Sequence, residues 1–134
     1  MATIEQAVRS MLTAGTTLSA NPVPVPDERV THGYRLQESI LPAITYSVDS
    51  NEDASLSGDI KLSQITVTGI AVTSQDALTI SGKIESALAS GTYNSIKIHA
   101  IIVTNQSLEQ ETIGISDEQE PAQAVTTATI YWSN

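Results

Sequence analysis

Two imidazoles, His32 and His99, and fifteen carboxylates are the side chains of this chain best suited to chemistry. His99 falls inside an alternating apolar run, where a hydrogen-bonded structural histidine is expected rather than a base or a ligand. His32 precedes Gly33 and has no carboxylate neighbour at a fixed spacing. Neither belongs to a His-x-x-His or His-Glu pair, so no transition-metal centre is expected. Cysteine is absent, which removes thiolate chemistry, disulfides and cysteine-based metal binding. A Gly-x-Ser-x-Gly elbow, a phosphate-binding glycine loop and a dinucleotide fingerprint are missing as well. Asp49-Ser50-Asn51-Glu52-Asp53 gathers oxygen ligands, but it lacks the glycine turn and distal bidentate glutamate of a calcium loop. In hydrophilic segments nothing raises the pKa of a paired acid for proton transfer. An enzyme is not expected, and no catalytic residue, cofactor or metal is assigned.

The acids matter more by their placement. Asp49, Glu52, Asp53 and Asp59 surround one turn, and Glu109, Glu111, Asp117, Glu118 and Glu120 fall in a second segment without a base. The formal net charge is −9. The six basic residues, Arg9, Arg29, Arg35, Lys61, Lys83 and Lys97, are dispersed. Tight nucleic-acid binding needs clustered cations that displace counterions, so it is not expected. The acidic segments read either as solvated loops that keep the protein in solution, or as loops that line a pore or face a basic partner.

The elements that position these residues make one α+β domain over residues 1–134. With no Phe and a single Trp, the core must be filled by Ile, Val, Leu and Ala. The β-branched residues among them favour strands. Thr3 and Gln6 have capping-box spacing, and Ile4, Ala7, Val8, Met11 and Leu12 form one stripe, which predicts a helix over 3–14. Alternating prolines between Asn21 and Pro26 exclude helix and predict an extended arm over 20–29, with Val23 and Val25 either pinned to the body or laid on a neighbouring subunit. Strands are predicted near 30–36, 40–48, 60–72, 94–104 and 123–132.

The strand over 60–72 changes apolar phase, which predicts a bulge near Ser63-Gln64 and burial of both faces around Gly69, as at a subunit contact. A second helix over 75–90 begins at Thr73 or Ser74 and ends at Gly91 as its left-handed residue. Gly82 inside it suggests close packing against a strand. Residues 107–122 read as a long acidic loop. The start of the chain lacks the pattern of a signal peptide, and no apolar run approaches the ~20 residues of a membrane helix, so an unexported, soluble protein is expected.

The order of several segments resembles a known family. Leu41-Pro42-Ala43-Ile44-Thr45-Tyr46 is followed by a polar excursion ending at Leu56-Ser57-Gly58. Then come Ile65-Thr66-Val67 through Thr73, and Ser74-Gln75-Asp76-Ala77 to Ala87-Leu88. This succession resembles the tail-completion or tail-terminator proteins of the tailed-bacteriophage neck. With the first helix and the closing aromatic strand, the likeness spans nearly the whole chain. The proline-rich arm, the acidic loop before the last strand and the ending Thr129-Ile130-Tyr131-Trp132 depart from the family pattern.

The resemblance implies an antiparallel sheet of about four main strands with two helices on one face. It also implies a homo-oligomeric ring, commonly a hexamer, that caps the tail tube, ends its polymerisation and joins it to the head connector. The protein would be assembled in the host cytoplasm and reside in the virion neck. DNA would pass through without specific binding, and no membrane is involved. The acids named above would face the lumen or an adjoining ring, repelling phosphates within a Debye length of ~8 Å. Val23, Val25, Thr66 and Thr68 would lie at subunit contacts. Rival readings are a tail-tube or decoration subunit, or an acidic protein-binding module.

Overall fold

A computed structural model describes residues 3–14, 17–20, 24–25, 29–32, 42–53, 59–110 and 122–133. Thr3 caps helix α1 (Ile4–Thr13) by accepting from the Gln6 N–H, while the Gln6 side chain accepts from the Thr3 N–H at 3.0 Å. This reciprocal pair is the capping box expected from the sequence. Ile4, Ala7, Val8, Met11 and Leu12 are all buried, so the stripe belongs to the core. Helix α2 (Ser74–Ala87) starts at Thr73, whose hydroxyl accepts from the Asp76 N–H at 3.2 Å. Asp76 in that first turn complements the helix dipole.

Among the described residues six strands form one mixed sheet: β1 (Val30–His32), β2 (Ala43–Asp53), β3 (Lys61–Ala71), β4 (Gly91–Tyr93), β5 (Ile96–Gln110) and β6 (Ala122–Ser133). Their spatial order is β1-β2-β3-β6-β5-β4. The fold is α+β, but the sheet has two short strands more than the four main ones expected, and it is not purely antiparallel. β1 runs parallel to β2, pairing Val30 with Ile44 and His32 with Tyr46. Of the strand expected over 30–36, residues 33–36 lie outside the described residues.

One side of the sheet carries the core. Along β3, Ser63, Ile65, Val67, Gly69 and Ala71 alternate inward without interruption, and β6 answers with Ala124, Thr126, Ala128, Ile130 and Trp132. Ile80 and Ile84 of α2 pack on this side, and α1 touches α2, β1, β2 and β4. The β3–β6 register is regular from Lys61 to Ala71, so the phase change in the sequence does not mark a bulge at Ser63-Gln64. The extra residue is Asp49 on β2, between the pairs Val48–Ile65 and Ser50–Gln64. Leu62 and Ile70 simply face the other way. Ile70 and Gly69 are both buried, within a single chain, so this two-sided burial requires no second subunit.

Two further expectations are corrected. Close helix–strand packing belongs to Gly69 rather than Gly82: a Cβ at Gly69 would stand 2.5 Å from Ile80 Cγ2, whereas one at Gly82 meets nothing within 4 Å. Gly91 does not end α2; Leu88 is the C-cap in extended conformation, and Gly91 opens β4 at φ +155°. Asn94 (φ 50°) and Ser95 (φ 69°) then turn β4 into β5. Two successive positive φ values are those of a type I′ hairpin, whose twist matches the strands it joins. The Asn94 side chain fastens this turn to α1 by donating to the Gln6 carbonyl and to Ser10 Oγ (3.2 and 2.8 Å).

The glycines give a stability prediction. Gly82→Ala is expected to stabilise the fold by about 1 kcal/mol, since the helix interior gains without a clash. Gly69→Ala is expected to cost about 1–3 kcal/mol through overpacking. Urea unfolding monitored by the single tryptophan measures both; equal effects would contradict this placement of the close contact.

Candidate functional site

The acidic residues of the first group do not form a loop. Asp49, Glu52 and Asp53 extend β2, where pairing with β3 sets Glu52 opposite Leu62 and Asp53 opposite Lys61. Asp59 lies just before β3, and all four are exposed. The Asp49 carboxylate is held by two hydroxyls: it accepts from Ser47 Oγ at 3.0 Å and from Thr66 Oγ1. The bulge thus turns Asp49 towards the face away from the helices, and two neutral donors orient it.

The second acidic group is also re-placed in part. β5 continues to Gln110, so 107–110 is strand rather than loop, with Glu109 level with Gln123 of β6. The strand expected over 94–104 absorbs the start of the expected loop, running past a bulge at Thr104 to stay paired with β6 as far as Gln110. Glu111, Asp117, Glu118, Glu120 and Val23 lie outside the described residues. Val25 is fully buried in its own chain, and its N–H donates to the Leu18 carbonyl at 2.7 Å. Its side chain therefore has no surface left for a neighbouring subunit, and the arm is pinned to the body at that point.

Thr66 and Thr68 are half-buried on the face away from the helices. They belong to a field of hydroxyls: Ser47 is level with Thr66 and Thr127, and Thr45 with Thr68. Thr129 follows opposite Gln64. Such neutral donor–acceptor groups bind other polar surfaces without charge, and Ser47 and Thr66 already donate to the Asp49 carboxylate.

The histidines are engaged elsewhere. The His99 ring nitrogen Nε2 is 2.8 Å from Ser133 Oγ at the exposed end of β6. The His32 ring lies against Tyr46, centroids 5.3 Å apart. Burial raises the Tyr46 hydroxyl above the ordinary tyrosine range; Arg9 opposes this and Glu5 adds to it. Burial also lowers the pKa of Lys83, whose Nζ donates to the Ala20 carbonyl. Among the described residues no group of three or more His, Cys, Asp or Glu is arranged to hold a metal ion.

A polar network that sequence reasoning missed lies at the end of the sheet. Trp132 Nε1 donates to the fully buried Ser63 Oγ at 2.7 Å, and Ser63 Oγ donates on to Asn51 Oδ1. Lys61 Nζ sits 5.6 Å from the centroid of the Trp132 ring. Only the inward parity of Ser63 signalled this, and it reads in sequence as a break in the apolar pattern. Also missed is a shallow groove of ≈ 280 Å³ between α2 and β5, lined by Leu78, Ser81, Gly82, Glu85, Gln106, Ser107 and Leu108. Leu78 and Leu108 are 54% and 41% exposed there.

No protein-family model matches this chain, and no curated protein matches it significantly. No helix among the described residues is long and apolar enough to cross a membrane.

Two variants test this geometry. Ser63→Ala leaves the Trp132 indole N–H without its partner and should cost roughly 1–3 kcal/mol, with a shift in tryptophan emission; an unchanged spectrum and midpoint would contradict the network. The raised Tyr46 pKa means that the folded state keeps this proton longer than the unfolded chain. Its contribution is therefore full below the ordinary value of 10.0 and falls as pH rises beyond it. Tyr46→Phe should lessen the alkaline loss of stability in urea titrations above that pH, and an unaltered alkaline slope would contradict the assignment.

Proposed function

We propose that this chain is a structural subunit of a tailed-bacteriophage neck, forming a ring that caps the tail tube, ends its growth and joins it to the head connector. The observation that carries this reading is the sequence order of the Leu41–Tyr46 segment, the polar excursion, the Ile65–Thr73 strand and the Ser74–Leu88 helix. The chemistry of the described surface agrees with an assembly role rather than catalysis. It offers a hydroxyl-bearing sheet face and exposed carboxylates, and its histidines are occupied by a hydroxyl and an aromatic ring.

In this reading the ring is a homo-oligomer, its copies meeting through polar sheet surfaces that include Thr66 and Thr68. Exposed Asp49, Glu52, Asp53 and Asp59, together with the 109–120 acids, present negative charge to the bore or an adjoining ring. A net charge of −9 keeps passing DNA from adhering, because phosphate and carboxylate repel within ~8 Å at physiological salt.

Negative-stain microscopy of the purified full chain, with light scattering for mass, tests the proposal. Closed rings, commonly six-membered, are expected. Open filaments would assign the chain to the tail tube instead, since a head-to-tail contact that does not close polymerises. Particles too small to be rings would overturn the neck reading.

A further inference from the structure

The longest strand of the sheet is paired on one of its sides over only a short stretch. β5 pairs with β6 along its whole length, but on its other side β4 covers only Ile96 to Ile98. Among the described residues no strand pairs with the outer side of β5 from His99 to Gln110. Natural proteins shield such edges with charge, proline or short length. The opposite side of this sheet follows that practice, since β2 beyond its pairing with β1 carries Asp49, Glu52 and Asp53. β5 does not: no Asp, Glu, Lys or Arg occurs from Ile98 through Leu108, in a chain of net charge −9. Next to this edge lies the groove with Leu78 and Leu108 exposed.

We propose that the uncovered edge of β5 is a self-association surface, on which the β5 strands of two copies pair antiparallel about a two-fold axis between Thr104 and Asn105. The strand fits its own mate. With the axis there, Gln110 of one copy comes level with His99 of the other, so the added strand ends where β4 begins. Ile101 then opposes Leu108, Val103 opposes Gln106 and Ile102 opposes Ser107. The faces agree as well. Ile101, Val103, Gln106 and Leu108 are level with Ile130, Ala128, Thr126 and Ala124, all on the helix side. Ile102 and Ser107 are level with Thr129 and Val125 on the other side.

Half-buried Ile101 and Val103 of the mate would thus cover Leu108 and the groove wall at Gln106. One β5 bulge falls at His99, outside the paired segments, and the other at Thr104, beside the axis. The ladder therefore consists of two segments, 100–103 against 106–109 and the reverse. Main-chain hydrogen bonds supply the attraction, and the alternate side chains in the groove set the register. Because the eight consecutive neutral residues 101–108 meet one another, the contact lies where two acidic copies repel least.

This contact stands on the sheet alone and not on the neck reading. A ring repeats a head-to-tail contact, whereas this one closes after two copies, so either can fail without the other. The chain has no cysteine, which allows a clean test. Full-length Ile102→Cys and Ser107→Cys are mixed in equal amounts and mildly oxidised. The mixture should give a disulfide-linked dimer joining one of each, while neither variant alone should cross-link comparably. Sedimentation equilibrium of the unmodified chain should show an even-numbered assembly, and Leu108→Lys should weaken its pairing step by roughly tenfold or more. Position 108 is already exposed, so that variant keeps the fold, which circular dichroism checks. Equal cross-linking of the single variants and the mixture, or association unaffected by Leu108→Lys, would overturn the proposal. So would a chain that remains monomeric at all concentrations.

Discussion

The fold depends on how closely α2 can approach the sheet. At Gly69 the β3 backbone stands directly under Ile80, with no room for a Cβ. That approach lets two isoleucines of one helix, Ile80 and Ile84, fill a core that has no phenylalanine. Small residues on the neighbouring strand, Ala122, Ala124 and Ala128, extend the same low platform. Dispersion gained at short range replaces the volume that aromatic rings usually supply. A larger residue at position 69 would lift the helix and open the core along β3 and β6 together.

With the helices committed to one face, the other face and the two edges are left for contact with the surroundings. The outer face is a field of hydroxyls crossed by one oriented carboxylate, Asp49. One edge is acidic and the other neutral. His99 meets Ser133 and His32 meets Tyr46, and Trp132 is tied to the buried Ser63, which reaches the exposed Asn51. In the neck proposal the chain acts through these surfaces. The neck reading and the β5 contact are two separate uses of that surface.

What the sequence disclosed was local. The capping pair Thr3–Gln6, the Thr73 cap and the alternation of β6 are decided by residues within a few positions of one another, and they fold as their spacing suggests; the phase change in β3 does not mark the bulge it suggested. Pairing between distant segments left weaker traces. Nothing near Val30 announces that it joins β2 in parallel, and the three residues of β4 are too few to show a period. β5 was cut short because its later residues are polar and its bulges at His99 and Thr104 shift the inward parity twice. Gly82 drew attention through its cost to a helix, whereas Gly69, in a strand, is where the space is needed. The site was less legible than the fold. The acids were plain in the sequence, but their extension of β2 and the bare edge of β5 exist only once the strand order is known.

Amide hydrogen exchange along β5, measured on the full chain at low and high protein concentration, tests most directly whether this sheet exists to join copies. The account predicts that 100–103 and 106–109 exchange more slowly as concentration rises, while the groups within α1 and β3 do not change. Exchange along β5 that is fast and independent of concentration would contradict it.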